Sequence, residues 1–185
     1  MAVAPTRLTI EEFLRLPEEK PALEFADGVV TQKVSPKGRH GILQGELVEQ
    51  FNRHGVPGKL ARANPELRTT FAGESLVPDV AVYRWERLPV DPDGRISDDF
   101  TQPPDITIEI VSPEPSVNAL VRGCVWYVAN GVQMALLVDP SDESVLAFQP
   151  ESQATPWRSS DRIDLGSVLP NLGLTVDELF AALRP

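Results

Sequence analysis

Cysteine is almost missing from this 185-residue chain: Cys124 is the only one, so no disulfide can form within it. That usage suits a reducing compartment, and a cytoplasmic location is the expectation. In the apolar run Gly123-Cys124-Val125-Trp126-Tyr127 the thiol reads as a small core side chain. Basic residues are also scarce, with 17 Lys and Arg against 27 Asp and Glu and a net charge of −10. A general polyanion binder needs a basic face, so the balance argues against that class while leaving local phosphate contact open. No stretch approaches ~18 uninterrupted apolar residues, which argues against a helical membrane span. The N-terminus carries Arg7 and then acidic, helix-like sequence instead of a basic patch before an apolar run, so no targeting signal is expected. There is no Gly-x-Ser-x-Gly, no P-loop and no Cys/His metal spacing, which leaves a small-molecule hydrolase on an unrelated fold with little support. Trp85, Trp126 and Trp157 are too scattered in the chain to form a base-stacking platform.

What is present describes a globular chain: 42% hydrophobic and 24% charged residues, enough to bury a core without staples. No linker or repeat divides it, so one domain over residues 1–185 is expected. The 18 prolines fall between apolar runs and act as loop punctuation. Thr9 and Glu12 form a capping box for a short helix expected through Leu16. Residues 23–33 read as a hairpin around Asp27-Gly28. Residues 38–54 read as a helix, with Leu43, Leu47 and Phe51 on one face. Short strands are expected over 59–63, 66–71 and 77–83. The polar segment 84–104 holds four prolines and reads as a solvated loop, with an interface or a substrate lid as the functional alternatives. The run Ile106-Thr107-Ile108-Glu109-Ile110-Val111 suits a strand buried on both faces. A helix over 117–130 stopped by Gly131, a hairpin over 134–148 and a helix capped by Thr175 and Glu178 complete the chain. This order predicts an α/β or α+β fold with a mixed central sheet flanked by helices.

One carboxylate interrupts that apolar strand. Burying an unpaired Glu109 costs several kcal/mol, so such a group is neutralised, paired or bound to metal. Asp79, in Val77-Pro78-Asp79-Val80-Ala81-Val82, poses the same question. If the two strands are neighbours, charges ~4 Å apart repel by about 4 kcal/mol at an effective dielectric of 20. A divalent cation between them reverses that penalty, and oxygen ligands favour magnesium or manganese. The bland alternatives are a turn or cap role for Asp79 and a solvent-facing edge position for Glu109.

The ordered set Leu23-Glu24-Phe25-Ala26-Asp27-Gly28, Ser35-Pro36 with His40, Val77-Pro78-Asp79, Ile108-Glu109-Ile110-Val111-Ser112-Pro113, Tyr127 and Leu137-Val138-Asp139-Pro140 resembles the Uma-type family of restriction-endonuclease-like proteins. That family is assigned to the PD-(D/E)XK nuclease superfamily. The resemblance implies a restriction-endonuclease-like core, Asp79 and Glu109 as metal ligands, magnesium or manganese as cofactor and DNA as substrate. It places Glu24 near the metal or beside an attacking water, with a salt bridge or exposed strand position as the alternative. It offers His40 as a phosphate or substrate contact, with helix capping as the alternative. Homodimerisation is a further expectation, since nucleases that cut both strands often pair.

The family's pattern draws its lysine from the helix after Ser112-Pro113. Here that position is Gly123, and the preceding acidic position is Ala119. Arg122 is adjacent and is the candidate for offsetting charge, although an arginine serves poorly as a general base. Two readings therefore stand: a metal-dependent DNA endonuclease using Glu24, Asp79, Glu109 and Arg122, weakened by the missing lysine, or a nuclease fold that binds or assembles without cutting.

Overall fold

The computed structural model describes residues 8–113 and 116–185. The N-terminal stretch through Arg7, read above for a targeting signal, lies outside the described residues.

The Thr9–Glu12 capping box forms, with Glu12 accepting the Thr9 N–H at 2.8 Å. Helix α1 (Ile10–Phe13) is shorter than expected, because the chain tightens into i→i+3 turns through Leu16. Strands β1 (Leu23–Ala26) and β2 (Val29–Gln32) pair antiparallel across Asp27-Gly28. Both turn residues have positive φ, 51° and 77°, as a type I′ turn requires. Helix α2 (Gly38–Gly55) follows and buries Leu43, Leu47 and Phe51, the face read from the sequence.

Strand β3 (Ala61–Pro65) begins two residues later than expected, and β4 (Thr69–Phe71) is only the end of the 66–71 run. An unforeseen strand, β5 (Glu74–Leu76), returns through Ala72-Gly73, again with positive φ at both positions. The expected 77–83 strand starts at Val80, as β6 (Val80–Arg84), and leaves Val77, Pro78 and Asp79 in the bend before it. Then come β7 (Ile106–Ile110), α3 (Val117–Ala129), β8 (Met134–Asp139), β9 (Ser144–Phe148), β10 (Thr155–Arg158) and α4 (Val176–Ala181). Strand β10 was not expected. It contains Pro156, which an edge strand tolerates, and it is the terminal strand of its sheet.

The described residues form two sheets, a four-stranded one ordered β2-β1-β5-β4 and a six-stranded one ordered β10-β9-β8-β7-β6-β3. The larger sheet is mixed, with β7 and β8 parallel through the α3 crossover and its other neighbouring strands antiparallel. Period-two alternation sorts its faces. Val80, Val82, Ile106, Ile108, Leu136 and Val138 pack with α2, α4 and the C-terminal loops. Ala135 and Leu137 face the opposite way, onto Cys124 and Tyr127 of α3. Cys124 is fully buried, as its sequence context indicated. The architecture is thus a mixed α+β fold with a mixed sheet flanked by helices.

The 84–104 segment is fastened to the sheet. Phe100 and Leu88 pack with Ala81 and Tyr83, the Tyr83 hydroxyl donates to the Gln102 carbonyl at 2.9 Å, and Arg87 pairs with buried Asp105 at 2.6 Å. None of its residues lines the pocket described below.

Candidate active site

The β6–β7 ladder sets the site. Val80 stands opposite Ile108, so extending the antiparallel register by one residue brings Asp79 opposite Glu109. Alternation along β7 turns Ile108 and Ile110 into the core beneath α2 and leaves Glu109 on the α3 side. The two acids, 30 positions apart in the chain, line one pocket of about 720 Å³ between the small sheet and α3. Glu24, His40 and Arg122 line the same pocket. All five residues singled out from the sequence therefore border one space.

Asp79 is 97% buried, and both of its carboxylate oxygens have protein partners. Oδ1 accepts from the Lys33 ammonium at 2.7 Å. Oδ2 lies 2.9 Å from His40 Nε2 and accepts the Ile110 backbone N–H at 2.8 Å. Its backbone carbonyl accepts from the Gln44 amide at 2.8 Å and from the Glu66 N–H at 3.1 Å. Burial alone would raise this carboxyl. The His40 hydrogen bond and the Lys33 charge outweigh burial and hold it below the usual aspartate range.

Glu109 is partly buried and accepts the Tyr127 hydroxyl at 3.1 Å. Loss of water and the nearby Asp79 charge push its carboxyl up, and Lys33 only partly offsets them. The Tyr127 hydroxyl is raised in turn, by burial and by Glu109. Glu24 accepts the Val77 N–H at 2.8 Å, which ties β1 to the bend carrying Asp79; burial raises its carboxyl as well.

His40 occupies the first turn of α2 but caps nothing, because Lys37 is the N-cap and no side chain bonds there. Its Nε2 is taken up by Asp79, which makes His40 a positioning residue for that carboxylate. Arg122 is exposed at the pocket's α3 wall, with no carboxylate within ion-pair distance among the described residues. Trp126 also lines this wall, its ring 5.2 Å from that of Phe71.

Sequence reasoning missed Lys33. It lies just past β2, and its ammonium donates to the Val77 carbonyl and to Asp79, both at 2.7 Å. Burial would lower its proton affinity, but Glu109 and Asp79 more than compensate, so it is firmly charged. Nothing local marked it, since its partners lie 44 and 46 positions away.

No group of three or more His, Cys, Asp or Glu residues able to hold a metal occurs among the described residues. That does not suit a closed all-protein cage of the zinc kind. Magnesium asks for less, because it keeps several waters and takes only one or two protein carboxylates. The raised Glu109 carboxyl marks a place where added positive charge lowers the energy. In donor chemistry and electrostatics, Asp79 and Glu109 fit such an ion.

No curated protein matches the chain. A crystal structure of a putative nuclease belonging to DUF820 from Anabaena variabilis is similar, with a TM-score of 0.91, 36% sequence identity, and coverage of 95% of this chain and 99% of that one. The family model for Uma2, described as "Putative restriction endonuclease", matches residues 10–177. With that match spanning both sheets and every residue of the pocket, the chain belongs to the Uma2 family of restriction-endonuclease-like proteins.

Proposed function

We propose that the chain is a metal-dependent endonuclease of the PD-(D/E)XK type that hydrolyses DNA phosphodiesters. The observation that carries this reading is that Asp79, in the bend just before β6, and Glu109 of the neighbouring strand β7 line one pocket. Asp79 and Glu109 would hold magnesium or manganese. When bound, such an ion polarises a phosphoryl oxygen and makes water more acidic. Around it the chain's own residues divide the work. His40 and the Ile110 N–H fix the orientation of Asp79, and Tyr127 fixes that of Glu109. Glu24, with a raised carboxyl, orients the attacking water and accepts its proton. Arg122 at the rim meets the incoming phosphate backbone.

The test is cleavage of supercoiled plasmid by the pure protein with magnesium or manganese. Asp79→Asn and Glu109→Gln should each abolish nicking. Cleavage that both variants retain at the wild-type rate would remove the assignment.

A second reading, a nuclease fold that binds without cutting, is favoured by one observation. Both oxygens of Asp79 already have protein partners, one of them a cation. Under that reading the wild-type protein neither binds manganese in calorimetry nor nicks DNA.

A further inference from the structure

We infer that Lys33 is the cation that meets the reacting phosphoryl group, delivered from the end of β2 across the pocket from α3. This rests on the nuclease reading above and deepens it. Phosphoryl transfer builds negative charge on the phosphoryl oxygens, and a preorganised cation in a partly dry site stabilises it without reorganising. Among the pocket's lining residues, Lys33 and Arg122 are the lysine and arginine available. Arg122 is exposed, and among the described residues no ion pair holds its guanidinium. Lys33 is fixed by two short hydrogen bonds and retains only 17% of its side-chain exposure.

The donor count supports the assignment. An ammonium has three N–H groups. The Val77 carbonyl and Asp79 Oδ1 take two, which leaves one for an oxygen of the substrate. Glu24, Asp79 and Glu109 all act on this ammonium electrostatically, so the carboxylates that would gather around the reacting centre also surround Lys33. Helix α3 offers nothing equivalent at Gly123. A Cβ built there meets no atom within 4 Å, so the pocket is open at that wall. The same opening provides the control, because a lysine at position 123 has room to enter the pocket from the opposite side.

A mere counter-charge to Asp79 would look similar at rest, so the test separates the roles. Plasmid nicking with manganese is measured for wild type, Asp79→Asn, Lys33→Met and the double variant Lys33→Met/Gly123→Lys. Manganese affinity is measured in parallel. Lys33→Met should lower kcat by about 10²–10³, the usual effect of removing one preorganised electrostatic group. KM for DNA and manganese affinity should stay within a few-fold, and the double variant should recover at least about tenfold in kcat. Lys33→Gln, which removes the charge but keeps a donor, carries the same expectation where Lys33→Met loses its cooperative melt. Three results would overturn the role of Lys33 alone: a Lys33→Met rate within threefold of wild type, a loss of metal affinity as large as the loss of rate, or a double variant no faster than Lys33→Met. A wild-type protein that cuts nothing, or an Asp79→Asn variant that cuts normally, sinks the nuclease reading and Lys33 with it.

Discussion

The Glu24 carboxylate accepts the backbone N–H of Val77 at 2.8 Å, and this bond ties the small sheet to the bend that delivers Asp79. A hydrogen bond to a charged acceptor contributes about 1.5–3 kcal/mol, and its loss leaves a partly buried N–H unpaired. Glu24→Ala should therefore destabilise the protein by that amount in urea denaturation. Glu24→Gln, which keeps an acceptor oxygen, should lose less than half as much.

Asp79 and Lys33 should prove strongly coupled. Asp79→Ala strands the ammonium, His40 Nε2 and the Ile110 N–H, and breaking such a buried pair costs about 3–5 kcal/mol. Adding Lys33→Met to Asp79→Ala should recover part of that loss. A double-mutant cycle from chemical denaturation should give a coupling above about 1 kcal/mol; additive single effects would contradict the ion pair.

The parts of this site legible in the sequence were those that break a local pattern. Glu109 interrupts an apolar β-branched run, and Asp27-Gly28 demands a positive-φ turn between two strands, so both were found. The boundary at Val80 was less legible, because Val77-Pro78-Asp79 carries the apolar composition of a strand while serving as its approach. Lys33 broke no pattern: a lysine beside a hairpin strand reads as solvated, and only the fold brings it to Asp79. Strand β5 was hidden by a turn of Ala72-Gly73, which lacks the Asn or Asp that marks such turns, and β10 by its proline.

Glu109 should make the apo protein less stable as pH rises. Its folded-state carboxyl is raised, first by lost hydration and then by Asp79. Below the unfolded carboxyl range, near pH ~4, both states are protonated and the group contributes fully. As pH rises through the folded value, the unfolded state ionises first and that stability is lost. Glu109→Gln should therefore melt with wild type near pH 4 and above it at pH 8, by about 2–4 °C for each kcal/mol relieved. Magnesium should raise the wild-type melting temperature and leave the variant unchanged.

Tyr127→Phe removes one hydrogen bond and little volume. It should cost about 0.5–1.5 kcal/mol of stability. Because Tyr127 orients Glu109 without itself reaching the reacting atoms, nicking should slow by less than about tenfold.

The pairing of Asp79 with Glu109 is tested most directly by manganese anomalous diffraction from soaked crystals. The account predicts an anomalous peak in the pocket beside Asp79 and Glu109, with the Lys33 ammonium still held by the Val77 carbonyl and Asp79 Oδ1. A map with no anomalous peak beside these two carboxylates at saturating manganese would contradict it.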